Sequence, residues 1–186
     1  MREIEKTPNI LNPAEFNVDV LGPSSTEFIV KCENISALAH SICKKLGVQG
    51  FELCIKFVDA TEIAKLNKLY RNINRPTDVL SFPQEEWDEP LTLEAPRRDE
   101  IGPTGPLGDL AICLDLAQEN AQKIGHGLDR EVCFLIVHGV LHLCGHDHIE
   151  KEEEALMLSQ QKKLMAFLAN GPSPTPMWLD CVRKFV

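Results

Sequence analysis

The stretch His138-Gly139-Val140-Leu141-His142-Leu143-Cys144-Gly145-His146-Asp147-His148 constrains this chain more than any other: it places four of the six histidines within eleven residues, directly after an apolar run. Residues Val132 to Val137 leave no polar face, so a helix through them is expected to be buried all round. His138 and His142 continue that helix at i, i+4, one above the other, the spacing with which two imidazoles grip one metal ion. Run straight on, the helix would carry His146 roughly 12 Å from His138 at ~1.5 Å per residue, too far for ligand distances of ~2 Å. The chain therefore has to turn, and Gly145 supplies the turn because glycine adopts positive φ without steric cost. Past it, either His146 or His148 can swing back to complete a three-histidine set. Three protein ligands leave a fourth tetrahedral position open, as in catalytic rather than structural sites.

The spacing of His138, His142 and His148, with glycine at the eighth position, coincides with the zinc ligands of the metzincin proteases. Those enzymes carry glutamate after the first histidine as general base, whereas this chain has Gly139, which cannot take a proton. Peptidase chemistry by that route is disfavoured, and a zinc site that makes hydroxide available near neutral pH remains. Cys144 stands two residues after His142 and off that helix face, which suits a small core residue. His146 is expected beside the ligands, behind them or facing substrate, with Asp147 a candidate to orient an imidazole.

Around this stretch the periodicity describes an α+β domain. Residues 1–15 read as a polar N-terminal extension, 16–170 as one domain, and 171–186 as a tail whose apolar end folds back or meets a partner. Strands are expected at Phe16 to Val20 on an edge, at Phe51 to Val58, at Val79 to Phe82 and at Leu107 to Leu114, the last nearly continuous in apolar character and so central. Helices are expected from Asn34 or Ser36 to Gly47, after an Asp59–Glu62 capping box up to Pro76, from Asp115 to Gly125, from a cap at Asp129 through the histidines, and from Glu150 past Lys162 and Lys163. Residues 83–106, rich in proline, read as an irregular loop. Seven cysteines without a C-x-x-C pair and no secretory signal point to reduced thiols in the cytoplasm. No apolar run approaches a membrane span. A net charge of −9 argues against a surface that coats nucleic acid generally, so any such contact must be a local patch.

Three stretches carry a resemblance. They are Leu66-Asn67-Lys68-Leu69-Tyr70-Arg71 with Arg75-Pro76-Thr77-Asp78-Val79-Leu80-Ser81-Phe82-Pro83, then Leu107-Gly108-Asp109-Leu110-Ala111-Ile112, then the histidine motif. In content, order and spacing the chain over about residues 16–168 resembles the YbeY family of bacterial endoribonucleases and ribosomal-RNA maturation factors. The resemblance implies a zincin-like single domain with a four-stranded mixed sheet, about five helices and a central buried metal-binding helix. It further implies one zinc ion per chain on His138, His142 and His148, and Arg71 as the catalytic arginine. The implied substrate is single-stranded RNA, cut during maturation of 16S ribosomal RNA and ribosome quality control, with the small ribosomal subunit and ribosome-associated proteins as partners and no membrane. Asn74 stands where the family commonly has an acid, the proline-rich loop is long, and the tail has no family counterpart.

A physical account runs beside the resemblance. Lys65, Lys68, Arg71 and Arg75 form a basic run in an acidic chain, and a guanidinium holds a phosphate through two hydrogen bonds. Zinc would polarise a phosphoryl oxygen or supply hydroxide while Arg71 offsets developing charge. The plain alternative for the lysines is a solvated helix face. Competing functions are another metal-dependent hydrolase, which Gly139 opposes, and a non-catalytic ribosome-assembly factor whose metal holds the core together.

Overall fold

Alternation along Phe51–Val58 sends Phe51, Leu53, Ile55 and Phe57 to one side, where all four are buried. Burying an aliphatic or aromatic side chain of this size contributes roughly 1.5–3 kcal/mol, so that face must be covered. In the computed structural model, which describes residues 18–23, 27–94, 105–170 and 175–184, helices cover it. The elements are β1 (Val18–Leu21), β2 (Phe28–Val30), α1 (Cys32–Leu46), β3 (Phe51–Val58), α2 (Ala60–Arg71), β4 (Val79–Pro83), β5 (Gly105–Cys113), α3 (Leu114–Ile124), α4 (Leu128–Leu143), α5 (Lys151–Ala169) and β6 (Val182–Lys184). A four-stranded sheet runs β1-β3-β5-β4, parallel except for the antiparallel edge strand β4. The α+β class, the mixed sheet and the five helices agree with the sequence reading.

Strand β5 has no polar face because both of its faces are covered. Leu107, Leu110 and Ile112 join the main core with α1 and α4, while Ala111 and Cys113 point to a smaller cluster with Ile63 of α2 and Leu80 of β4. Helix α4 is therefore the centre of the molecule, and from Glu131 to Leu143 only Phe134, His138 and His142 escape full burial. Gly139 explains how α4 comes so close to the sheet. A Cβ there would lie 2.7 Å from Leu110 Cδ2 and 3.3 Å from Ser81 Oγ. The position where a metzincin carries its glutamate is here pressed against β5.

Several boundaries differ from the sequence reading, and at Asn34, Glu62 and Asp129 a competing contact takes the side chain. Helix α1 starts at Cys32 after Lys31, and Asn34, expected as a cap, instead donates its amide to the Asp180 carbonyl at 3.2 Å. Asp59 does cap α2, accepting from the Glu62 N–H at 2.8 Å, but Glu62 turns its own carboxylate to Lys56. That helix ends at Arg71 on a left-handed Asn72, before Pro76 is reached. Gly127, rather than Asp129, precedes α4. Asp129 is committed elsewhere, its carboxylate accepting the N–H groups of Asp180 at 2.9 Å and Val182 at 2.6 Å. Strand β5 begins at Gly105, inside the region read as loop, and Leu114 already belongs to α3. Lys162 and Lys163 stand before the last turn of α5, which holds no basic residue.

The tail folds back. Strands β2 and β6 pair antiparallel as a second, two-stranded sheet that short runs beside prolines did not announce, and Cys181 and Val182 are buried. The 1–15 extension, Phe16, residues 95–104 of the loop, and residues 171–174 and 185–186 lie outside the described residues.

Candidate metal centre

Helix α4 ends as its sequence requires. Gly145 adopts φ +86°, its N–H donates to the His142 carbonyl at 3.1 Å, and the His146 N–H reaches back to Leu141 at 3.0 Å. This is the paired 5→2 and 6→1 closure that a left-handed residue makes possible. The last carbonyls of the helix are taken by residues 84–94, which act as a strap. Trp87 Nε1 donates to the Leu143 carbonyl at 2.8 Å and the Leu91 N–H to the Cys144 carbonyl at 3.0 Å. The strap is fastened to α5, where Gln160 accepts from the Leu93 N–H at 3.0 Å and Glu94 pairs with Lys163.

Each of the two helical histidines is held by its Nδ1. His138 Nδ1 donates to Gln161 Oε1 at 3.1 Å, and His142 Nδ1 donates to the His146 carbonyl at 2.9 Å. With both protons on Nδ1, both Nε2 lone pairs are free, and these atoms face each other at 3.1 Å. Two acceptors at that distance repel unless a cation lies between them. A tetrahedral ion bound at ~2.0–2.1 Å needs its nitrogens ~3.3 Å apart, close to what is found. His148 joins from beyond the turn, its ring 5.1 Å from that of His142 and 5.8 Å from that of His138, and the three ligand atoms lie within 4.8 Å of one another. The donor set fits a metal ion.

The titration of these groups agrees. Burial, with neighbouring His138 next in weight, pushes the His142 imidazole down to about 4. Burial also lowers His138, opposed in part by the Gln161 hydrogen bond. Both are neutral at pH 7, the form that ligates metal. Cys144 is fully buried and its thiol is pushed up to about 12 by that burial, so it belongs to the core.

The other sequence candidates divide. His146 borders the same cavity but stands outside the clustered set: its Nε2 donates to the Leu91 carbonyl at 2.6 Å, and its main-chain carbonyl accepts from His142. Asp147 accepts the His148 N–H at 2.7 Å and so orients backbone, not an imidazole. Arg71 borders the same cavity of about 610 Å³ as His138, His142 and His148, anchored by a 3.3 Å hydrogen bond from Nη2 to the Ser81 carbonyl. Lys65 and Lys68 border a separate groove with Asn74. Arg75 lies outside both and serves through its carbonyl, which accepts from Asn67 at 2.8 Å.

Gln161, Trp87 and Asp78 were not among the sequence candidates. Asp78 lines the cavity and caps its own turn, accepting from the Val79 N–H at 2.9 Å and from Asn120 at 3.0 Å. Gln160 and Gln161 are both buried on α5, a placement that the weak apolar periodicity of that helix did not announce.

Two helical histidines and a third from beyond the turn, opening onto a cavity that also holds an arginine, suit a metal-dependent hydrolase. The sequence model described as Endoribonuclease YbeY matches residues 24–169, and the chain belongs to that family of RNA-cleaving hydrolases. Proteins named Endoribonuclease YbeY resemble it closely. That of Thermoanaerobacter sp. strain X514 is 40% identical over 143 residues, covering 74% of this chain and 90% of the relative. That of Caldanaerobacter subterraneus is 45% identical over 131 residues, 70% of this chain and 82% of the relative. The solution structure of TM1509 from Thermotoga maritima superposes with a TM-score of 0.51 at 25% identity, covering 79% of this chain and 85% of the other.

Proposed function

We propose that this protein is a zinc-dependent endoribonuclease that cuts single-stranded RNA during maturation of small-subunit ribosomal RNA and in ribosome quality control, in the cytoplasm and in contact with the small subunit. The observation that carries the reading is the shared cavity of three imidazoles and one guanidinium. His138, His142 and His148 would hold the ion, which when bound supplies a Lewis acid for a phosphoryl oxygen and an acidified water. Gln161 and the His146 carbonyl keep Nδ1 protonated on the two helical ligands, so that each Nε2 stays directed into the cavity. Arg71, fixed at one nitrogen by Ser81, retains donors for a phosphate and offsets the charge that gathers on it as the bond breaks. Gly139 offers no base, and packing against Leu110 leaves no room for one.

The test is metal content together with cleavage of a single-stranded RNA by wild type, His142→Ala and Arg71→Ala. About one zinc per wild-type chain is expected, with cleavage lost in both variants and metal lost only from His142→Ala. Zinc bound by a pure wild type that cuts neither free RNA nor small subunits would overturn the nuclease reading in favour of an assembly factor.

A further inference from the structure

The uncovered line on α4 does not stop at the histidines. Four residues before His138 stands Phe134, 38% exposed on a helix whose other apolar residues are buried. Its ring stacks on the His138 imidazole, 6.3 Å between centroids and 13° between planes. Four residues earlier stands Arg130, also exposed. Arg130, Phe134, His138 and His142 thus share one face over roughly 18 Å at ~1.5 Å per residue. Beyond His138 this face opens into a groove of about 620 Å³ walled by Arg130, Phe134, Leu158, Lys162, Met165 and Trp178. Gln161 borders the groove and bonds His138, so the groove adjoins the metal centre.

Two features suit a nucleic-acid strand. The groove pairs two aromatic rings with two cations, and among the described residues neither Arg130 nor Lys162 takes part in a salt bridge. Both acids next to Arg130 are engaged elsewhere, Glu131 by His126 at 3.1 Å and Asp129 by the Asp180 and Val182 N–H groups, a grip that also holds the tail on which Trp178 sits. Trp178 lies outside the span that the family model matches. Unpaired bases expose π-faces to aromatic side chains while cations track the backbone, a combination that binds single strands with little sequence preference. A duplex keeps its faces stacked internally.

We infer that this groove is a single-stranded RNA subsite that carries the strand onward from the metal centre, bases stacking on Phe134 and Trp178 and phosphates meeting Arg130 and Lys162. The occupant's identity rests on the endoribonuclease reading. The test is stopped-flow quenching of tryptophan fluorescence when metal-loaded protein meets single-stranded oligoadenylate, read before turnover. Wild type is compared with Arg130→Ala/Lys162→Ala, Phe134→Leu and Trp178→Phe. The double variant is expected to bind about ten-fold more weakly at low salt, with the slope of log affinity against log salt reduced by about 1.4. Phe134→Leu is expected to lose about ten-fold, and Trp178→Phe to lose the RNA-dependent quench. All variants should keep wild-type metal content and melting temperature. Titrations of the groove variants that overlay wild type would overturn the subsite, as would equal binding of duplex RNA. Binding is read apart from cleavage. A wild type that binds with these variant losses yet never cuts removes the nuclease reading alone, and unchanged binding in the variants of a cutting enzyme removes the groove alone.

Discussion

Helices α4 and α2 both bring candidate functional side chains to one cavity, yet they hold them differently. On α4 the two histidines are fixed from outside the helix, His138 by Gln161 of α5 and His142 by the carbonyl of His146 beyond the turn, and the helix itself is locked by the strap of residues 84–94. On α2 only Ile63 and Asn67 are buried, and exposed Arg71 has one hydrogen bond, to Ser81. On the proposed function, the difference separates two tasks. A metal ion tolerates little error in ligand position, so its ligands need rigid support. A phosphate on a flexible strand needs a cation that can follow it, and a lightly tethered guanidinium provides that.

The largest effect that tests this contrast falls on the lightly held side. Arg71→Ala should lower the cleavage rate by on the order of 10²–10³-fold and leave metal affinity and melting temperature unchanged. Metal loss in that variant would show that α2 and α4 do not divide the work. Gln161→Leu attacks the rigid side. The lost acceptor frees the His138 ring to rotate, and metal affinity, measured by competition with a chromophoric chelator, should fall by about 10–100-fold. Gln161→Glu should restore it, because a carboxylate accepts the same Nδ1 proton. A third substitution loosens the strap. Trp87→Phe leaves the Leu143 carbonyl without its donor and should lower stability by about 1–3 kcal/mol in denaturant unfolding, with a smaller loss of metal affinity.

How much of this could be read from the chain follows from which contacts are local. His138 and His142 at i, i+4 and the turn at Gly145 lie within one helical end, so spacing alone brought them together. The core of β3 and β5 was legible from alternation and continuous apolar character. Gln161 and Trp87 were not, since each bonds a residue of another element through a fold that periodicity does not describe. Asp129 shows how local preference misleads. It is a good capping residue at the right place, but the tail's unpaired N–H groups, more than fifty positions away, claimed its carboxylate. The basic run is split for a geometric reason. Lys65 and Lys68 share a helix with Arg71 but border a different groove, so charge that is contiguous in sequence is divided in space.

The smallest expected effect concerns pH and acts on the rigid side alone. His142 is held near 4 in the folded chain, chiefly by burial, against an ordinary value near 6.5. Above about pH 6.5 the group is neutral folded and unfolded, and it adds nothing to the pH dependence of stability. Below that, the unfolded chain binds a proton that the folded chain refuses, so stability must fall as pH drops towards 4. His138, also lowered by burial, acts in the same direction. Metal-free protein should therefore melt at a lower temperature at pH 5.0 than at pH 7.5, and the drop should be smaller in His142→Asn, which has no proton to take up there. Arg71→Ala should show the full wild-type drop, because the guanidinium stays charged across the range. An equal drop in His142→Asn and wild type would mean that the imidazole titrates freely, and the rigid support ascribed to α4 would then not reach its second histidine.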